Sequence, residues 1–404
     1  MSLLDGRDVI CLSHLRWDWV WQRPQHLMSR LARGRRVYFV EEPVVGTQVG
    51  ASPDGPRPPE WHMRREGAVI VCQPYFPDGI AAFQGPRMDA ALRVLLEELV
   101  ETERIVEPVL WFYTPMILPS TTGIRAALVV YDCMDELSKF RHAPPELPAR
   151  ERALLERANI VFTGGYSLYR IKKNLHPNVH LFPSGVEAEH FAQARDPDLP
   201  LPDELGAVPA PRLGYLGVID ERLDLGLLDQ VARHQPDWSI VMVGPVIKID
   251  EAELPRRPNI YYFGKQPYAE LPRFVKGFDV CIMPFALNEA TRFISPTKTL
   301  EYMAAGRPII STPIRDVAEP YGDVVLIVRD PQEFKQAVER VLTEDPVQQE
   351  RRLTRYRDIL SRSSWDAIAA RMYALMEQAA SRHALAGCGT GRGTLGAAAI
   401  RPDR

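Results

Sequence analysis

Short apolar runs alternate with stretches of helical pattern along nearly the whole chain, and this rhythm limits the possible folds more than any other feature. The first runs are VICLS from Val9, RVYFVEE from Arg36, AVIVCQP from Ala68, PVLWFYT from Pro108, ALVVYD from Ala127 and NIVFTG from Asn159. They are rich in β-branched and aromatic residues and bounded by turn residues, as buried parallel strands are. Helix-length segments separate them, at Pro24–Arg33, Arg87–Thr102, Glu146–Ala158 and Tyr166–Asn174. The result is a βαβ pattern, which implies a mostly parallel sheet covered on both faces.

The rhythm breaks in a proline-rich stretch between Glu187 and Arg212, then restarts with RLGYLG, WSIVMVG, NIYYFG, DVCIMPF, RPIIST and DVVLIV. A composition shift of this kind marks a domain boundary. The expected organisation is a first domain over 1–190, a linker over 191–211, a second domain over 212–362 and a closing helix over 363–383. Residues 384–404 are rich in Gly and Ala without apolar pattern and read as a disordered tail. A length of 404 residues suits such a plan.

Composition excludes several classes. Lys and Arg number 49 against 52 acidic residues, so no global basic surface for nucleic acid is indicated. The five cysteines, at 11, 72, 133, 281 and 388, have neither metal-ligand spacing nor a disulfide pattern. The opening MSLLDGRD has no signal-peptide form, and no apolar run is long enough to span a membrane, so a cytoplasmic location is expected.

Two doubly wound domains facing each other create a cleft, and ligands bind there beyond the carboxyl ends of the strands. The loops at those ends carry the chemistry. No G-x-G-x-x-G follows the first strand, which speaks against a dinucleotide-dependent dehydrogenase, and the P-loop, G-x-S-x-G and H-E-x-x-H motifs are also absent. Instead, the loop from Ser13 to Pro24 holds His14, Arg16, Trp17, Asp18, Trp19, Trp21 and Arg23. Such groups stack on and hydrogen-bond to sugars; packing of the tryptophans onto the loop's own helix is the alternative. A second segment, SPTKTLEYMAAGRPII from Ser295, reads as a helix opened by proline after a strand. Its N-terminus is suited to an anion. Lys298 in the first turn is unfavourable to the helix itself but apt beside a phosphate, and Glu301 can accept from ribose hydroxyls. The alternative is a Lys298–Glu301 pair across the helix surface. Asp132 and Asp135, ending the ALVVYD run, either face the cleft or cap their loop.

The segments SPTKTLEYMAAGRPIIST, RLGYLG and PNIYYFGKQPYAELPRFVKGFDVCIMPF, with the closing helices from Trp365, resemble the GT-B glycosyltransferases, in particular the large retaining family 4 group. WDWVWQRPQHLMSRLA and VVYDCMDE resemble a subgroup of cell-surface polysaccharide transferases. The resemblance spans roughly residues 8–380. It implies an α/β protein of two Rossmann-like doubly wound domains facing across a cleft, with C-terminal helices crossing back to the first domain. It implies a hexosyltransferase-type enzyme, with a nucleotide-diphosphate sugar as donor, a carbohydrate or lipid-linked acceptor, and neither cofactor nor metal.

Carried over by position, Glu301 holds the ribose of the donor, and Lys298 with Pro296, Thr297 and Thr299 faces the diphosphate. Gly264, Lys265 and Gln266 lie by the nucleobase. Gly217 makes the close turn under the phosphates, with Arg222 and Arg292 as further cations. The first domain supplies His14 and Asp18 as catalytic candidates and Trp17, Arg23, Asp132 and Asp135 on the acceptor side. Two departures stand out. Many members carry an E-x7-E pair whose second glutamate matches Glu301; the first falls on Phe293 here. Many also carry an Arg and a Lys after the first strand of the second domain, where this chain has Arg222 alone. The D-x-D at Asp196–Asp198 lies in the linker and is taken as incidental.

Arg30, Arg33, Arg35 and Arg36 cluster near the end of the first helix. They either complement its dipole or rest on anionic lipid at the inner face of a membrane. Two rival functions remain: a nucleotide-sugar epimerase and a non-catalytic nucleotide-sugar- or partner-binding protein. Acceptor-dependent release of nucleoside diphosphate separates a transferase from both.

Overall fold

Each apolar run of the sequence becomes a strand, and the strands assemble into two separate sheets. The computed structural model describes residues 3–19, 21–46, 57–77, 85–140, 143–289 and 291–389. The first sheet comprises β1 (Val9–Leu12), β2 (Val37–Val40), β3 (Val44–Val45), β4 (Glu60–Glu66), β5 (Val69–Phe76), β6 (Val109–Phe112), β7 (Leu128–Cys133), β8 (Ile160–Thr163) and β9 (Val179–Leu181). Their order is β3-β5-β2-β1-β6-β7-β8-β9, and β4 pairs antiparallel with β5. The second sheet comprises β10 (Arg212–Leu216), β11 (Ser239–Val243), β12 (Ile260–Tyr262), β13 (Val280–Met283), β14 (Ile309–Ser311) and β15 (Leu326–Ile327). It is parallel, in the order β12-β11-β10-β13-β14-β15.

Both sheets reverse direction of growth beside their first strand. β1 has β2 on one side and β6 on the other, and β10 lies between β11 and β13. These are the switch points of the two sheets, and the loops after β1, β6, β10 and β13 border one cleft.

Strand periodicity divides the first domain's core in two. Ile10 and Leu12 face the layer built by α2 (Pro86–Thr102), α3 (Leu147–Arg157) and α4 (Tyr166–Lys172). Val9 and Cys11 face the other layer, built by α1 (Arg23–Leu31) and the closing helix. The second domain has its own core around α7 (Leu225–His234), α8 (Leu271–Lys276), α9 (Lys298–Ala304), α10 (Arg315–Tyr321), α11 (Pro331–Leu342) and α12 (Pro346–Leu360).

The proline-rich stretch is not a loose connection. It forms α5 (Ala188–Ala192) and α6 (Asp203–Gly206), and Phe191, Ala194, Leu205 and Val208 are buried in the second domain's core. Proline limits these helices to about a turn, while the apolar residues between find a surface to cover. The chain passes into this domain at Val186, whose amide donates to the Ser363 carbonyl at 2.9 Å, and Val186 pairs with Ser364 in a parallel bridge. Entry and exit therefore lie side by side.

The last helix, α13 (Trp365–Gly389), returns to the first domain. Trp365, Ile368, Met372, Met376 and Ala379 fall three or four residues apart and bury one stripe against the first sheet. The expected tail from 384 is thus helical as far as Gly389; residues 390–404 lie outside the described residues. Three arginines of the cluster, Arg30, Arg33 and Arg35, serve the same attachment. Arg30 and Arg33 both pair with Asp366, at 3.0 and 2.7 Å. Arg36 pairs with Asp8 at 2.6 Å, and Arg35 donates to the Leu4 carbonyl and lies over the Tyr373 ring. The four arginines thus have partners within the chain, while Arg33 and Arg36 remain exposed. Trp365→Ala would open a large void in this layer and should cost about 3–5 kcal/mol, read as a lower urea midpoint.

β4 was not evident in the sequence. Its residues EWHMRRE are largely polar and lie along the sheet's edge, partly or fully exposed. Gly67, at φ +60°, supplies the tight turn into β5 that pairs Glu66 with Val69.

Candidate active site

The cleft between the two sheets has a volume of about 1200 Å³ and is lined by both domains. The first-domain wall begins with the loop after β1. Trp17 is 4% exposed and packs edge-on against Phe39; its amide donates to Glu41 Oε1 at 2.7 Å, and its carbonyl accepts from Gln25 Nε2 at 2.9 Å. Trp17 therefore anchors the loop, whereas Trp19 and Trp21 stay exposed along the cleft.

Arg23 and Asp132, expected on the acceptor side, form an ion pair, with Arg23 still bordering the cleft. Both are buried, at 1% and 0% exposure, and the Arg23 guanidinium grips both Asp132 carboxylate oxygens at 2.8–3.1 Å. Its remaining arm donates to the Phe182 carbonyl at 2.7 Å. Their polar atoms serve each other and the backbone. Asp18 lies at the rim, two-thirds exposed and paired with Arg64 at 2.6 Å.

His14 does reach the cleft, and its Nδ1 is buried without a hydrogen-bond partner. Burial, and secondly the charge of Lys248, bring its pKa down to about 4, against a backbone hydrogen bond to Tyr113. The imidazole is neutral near pH 7. Asp135 also lines the cleft; burial raises its carboxyl, while Arg222 and Lys248 pull the other way.

On the second-domain wall, two glycines lie at the ends of adjacent strands. Gly217 (φ +152°) and Gly244 (φ +148°) approach so closely that a Cβ on Gly244 would sit 1.9 Å from the Gly217 carbonyl oxygen. A Cβ on Gly217 would meet Lys298 Cε at 3.0 Å. The glycines thus give a cradle of bare backbone beside the Lys298 ammonium.

Lys298 has no carboxylate partner among the described residues, and its ammonium is 3.3 Å from its neighbour Thr297 Oγ1. No ion pair joins it to Glu301 among the described residues. Glu301 lines the cleft with Oε2 buried and unpartnered. Pro296 and Thr297 line it too; Thr299 is buried, with Oγ1 against Met283 Sδ.

Arg222 lines the cleft bound to Asp220 at 2.8 Å. Lys265 and Gln266 also line it; Lys265 reaches across to the Asp18 carbonyl at 3.2 Å, and Gln266 donates to the Phe263 carbonyl. Gly264 and Arg292 are not part of this lining. Arg292 points outward, weakly paired with Glu289 and lying over the Phe293 ring. Phe293 itself is 6% exposed and buried within the first domain's core cluster.

The sequence reading missed Lys248. It follows β11, has φ +63° and lies 4.8 Å from the Phe140 ring centroid across the cleft. Its place at the carboxyl end of a strand beside the switch point was the available signal. Glu42, after β2, was missed as well; burial raises its carboxyl, and Arg16 and Lys248 oppose that.

A buried histidine of α1, packed on the closing helix, stands beside this site. His26 stacks on Trp365 with centroids 4.7 Å apart, and its Nδ1 accepts from the Trp21 indole at 3.3 Å. Burial, then Arg30, brings its pKa to about 3. An unfolded chain protonates both His14 and His26 near pH 6.5, whereas the folded chain holds them neutral to about 4 and 3. Their stabilising contribution is full above that unfolded value and is lost as pH falls through the window. Each tenfold difference in proton affinity between folded and unfolded chain is worth about 1.4 kcal/mol. Urea denaturation should therefore show a few kcal/mol less stability at pH 4.5 than at 7.5; equal stabilities would contradict buried neutral imidazoles.

Residues 210–344 match the family described as glycosyl transferases group 1. The chain is also 29% identical over 276 residues to TuaH of Bacillus subtilis (strain 168), a protein named as a teichuronic acid biosynthesis glycosyltransferase, across 62% of this chain and 68% of that one. The chain is a glycosyltransferase. This glycosyltransferase has the GT-B fold. Sucrose-phosphate synthase from Thermosynechococcus elongatus superposes with a TM-score of 0.68 at 15% identity, covering 94% of this chain and 100% of that one. An E. coli structure described as trehalose-6-phosphate bound with UDP-2-fluoro glucose gives 0.65 at 13% identity, covering 92% and 99%. The group 1 match coincides with the domain that carries Lys298, Glu301 and the glycine cradle. No helix among the described residues of this glycosyltransferase is long and apolar enough to cross a membrane.

Proposed function

We propose that this glycosyltransferase moves a glycosyl group from a nucleotide-diphosphate sugar to an acceptor hydroxyl in cell-surface polysaccharide or glycolipid synthesis. It retains anomeric configuration, uses no metal, and works at the cytoplasmic face of the membrane. The observation that carries the reading is an unsatisfied buried Glu301 oxygen together with a Lys298 ammonium that has no carboxylate partner among the described residues, beside the Gly217–Gly244 cradle. A buried carboxylate oxygen without a donor is costly unless a ligand supplies one, and two ribose hydroxyls would. The diphosphate then lies over the bare backbone, against Lys298.

In the transfer the bond from the anomeric carbon to the diphosphate oxygen breaks and the bond to the acceptor oxygen forms. The acceptor proton passes to the departing diphosphate. Charge develops on that diphosphate, and Lys298, with Lys248 and Arg222, stabilises it electrostatically. Arg222 contributes less than a free cation, since Asp220 already neutralises it. Neutral His14 faces the reacting centre as a hydrogen-bonding group; with a pKa near 4 it is a weak base at neutral pH. Asp18 stands at the rim, held by Arg64. Closure of the domains excludes water and limits donor hydrolysis. The name of TuaH supports the cell-surface role.

Calorimetric and thermal-shift titration with UDP-, GDP- and ADP-sugars tests the reading. One nucleotide sugar should stabilise the wild type, with Glu301→Ala weakening its binding at least tenfold. Absence of binding at millimolar concentration would favour the non-catalytic alternative.

A further inference from the structure

The Gly217 turn begins on an amide that the sheet does not use. Successive amides of a parallel strand point to alternate neighbours. The Gly217 amide donates to the Val243 carbonyl of β11 at 2.8 Å. The Leu216 amide therefore faces the β13 side. There β13 pairs with β10 at Leu213–Val280 and Gly214–Cys281 and no further among the described residues. The Tyr302 hydroxyl replaces the missing carbonyl and accepts from the Leu216 amide at 2.8 Å. A second phenol holds the far end of the turn. The Tyr215 hydroxyl donates to the Val218 carbonyl at 2.9 Å, and a Cβ on Gly217 would lie 2.9 Å from its oxygen.

Tyr302 follows Glu301 on α9, the helix that opens with Lys298. One helix thus carries the ammonium, the ribose-facing carboxylate and the hydroxyl that ties down the turn. Tyr302 is 0% exposed within the second domain's core. A phenylalanine would fill the same space, so packing alone does not require the oxygen. The backbone it holds does: a turn built on glycine has many conformations open to it and keeps one only when its neighbours fix it. A turn already in place needs no rearrangement when charge develops on the departing group.

We propose that Tyr302 and Tyr215 are positioning residues for glycosyl transfer, whose hydroxyls hold the Leu216–Val218 backbone against Lys298 in the arrangement that receives the second phosphate of the donor. They act through the backbone and not on the reacting atoms. The inference rests on the reading of this domain as the donor site.

Calorimetric titration of the whole protein with UMP and UDP, GMP and GDP, and AMP and ADP tests it; the pair that binds the wild type is carried into the variants. Tyr302→Phe leaves the buried Leu216 amide without an acceptor, and should weaken diphosphate binding about tenfold and monophosphate binding less than about twofold. Tyr215→Phe should shift the same ratio in the same direction, and decides the matter if Tyr302→Phe does not fold. Tyr356→Phe is the control. It removes another buried hydroxyl of the same core, bound to the Arg307 carbonyl at 3.2 Å, and should lower the urea midpoint without changing the ratio.

An unchanged ratio in the folded Tyr302 and Tyr215 variants would overturn the proposal. So would an equal loss of mono- and diphosphate binding, or the same ratio shift in Tyr356→Phe, since each would reflect a general loosening of the domain. A wild type that binds no nucleoside diphosphate would remove the donor reading and this inference with it. Diphosphate binding with an unchanged ratio would remove the inference alone.

Discussion

Lys298→Ala is expected to lower kcat/KM by about 10²–10³-fold, the usual cost of removing one preorganised group from a developing anion. The loss should fall mainly on kcat, because the charge on the departing diphosphate grows towards the transition state. Lys298 is suited to that task because no carboxylate among the described residues holds it, unlike Arg222 with Asp220. Lys298→Arg should recover only part of the rate, since the guanidinium is larger and the Gly217 backbone lies against the lysine stem. Glu301→Gln should instead raise KM for the donor more than it lowers kcat. Steady-state release of nucleoside diphosphate in the presence of acceptor reads all three. Full activity in Lys298→Ala would displace the diphosphate from this helix.

Arg23→Ala should cost about 3–5 kcal/mol of folding stability, because it leaves the Asp132 carboxylate buried without its counter-charge. The pair fixes the loop after β1 to β7 and to the Phe182 carbonyl, so the loop's cleft-facing residues lose their support as well. Replacing both members, Arg23→Met with Asp132→Asn, should restore most of the stability, since the unpaired charge is then gone. Urea unfolding followed by tryptophan fluorescence measures each. A stable Arg23→Ala protein with impaired acceptor use would return Arg23 to the acceptor side.

That pair also marks where sequence reading stops. In sequence, Arg23 and Asp132 stand more than a hundred positions apart, one closing the loop after the first strand and the other ending the ALVVYD run, and both look available. Whether a charged group faces solvent or another charge depends on the third dimension. The strands were legible because burial on both faces leaves runs such as VICLS and VLWF almost purely apolar. β4 was not, since an edge strand with exposed polar side chains carries neither that run nor strict alternation. Lys298 and Glu301 were legible from their helix-terminal context, and Gly217 only through the resemblance. Lys248 was hidden because its role depends on a positive φ and on Phe140 of the other domain. The proline-rich stretch looked like a connection because prolines interrupt helical periodicity, yet its few apolar residues suffice to bind it to the second core.

The return of α13 to the first sheet has a consequence for biosynthesis. The residues that cover the Trp111 and Phe162 side of that sheet include Trp365, Met372 and Met376. On the ribosome the amino-terminal half emerges first, but the part of its sheet face that α13 covers stays open until that helix has been translated. The intervening domain can complete its own core sooner. The order in which the halves are made is therefore the reverse of the order in which they are finished, and a nascent chain arrested before residue 365 would present that apolar face to chaperones.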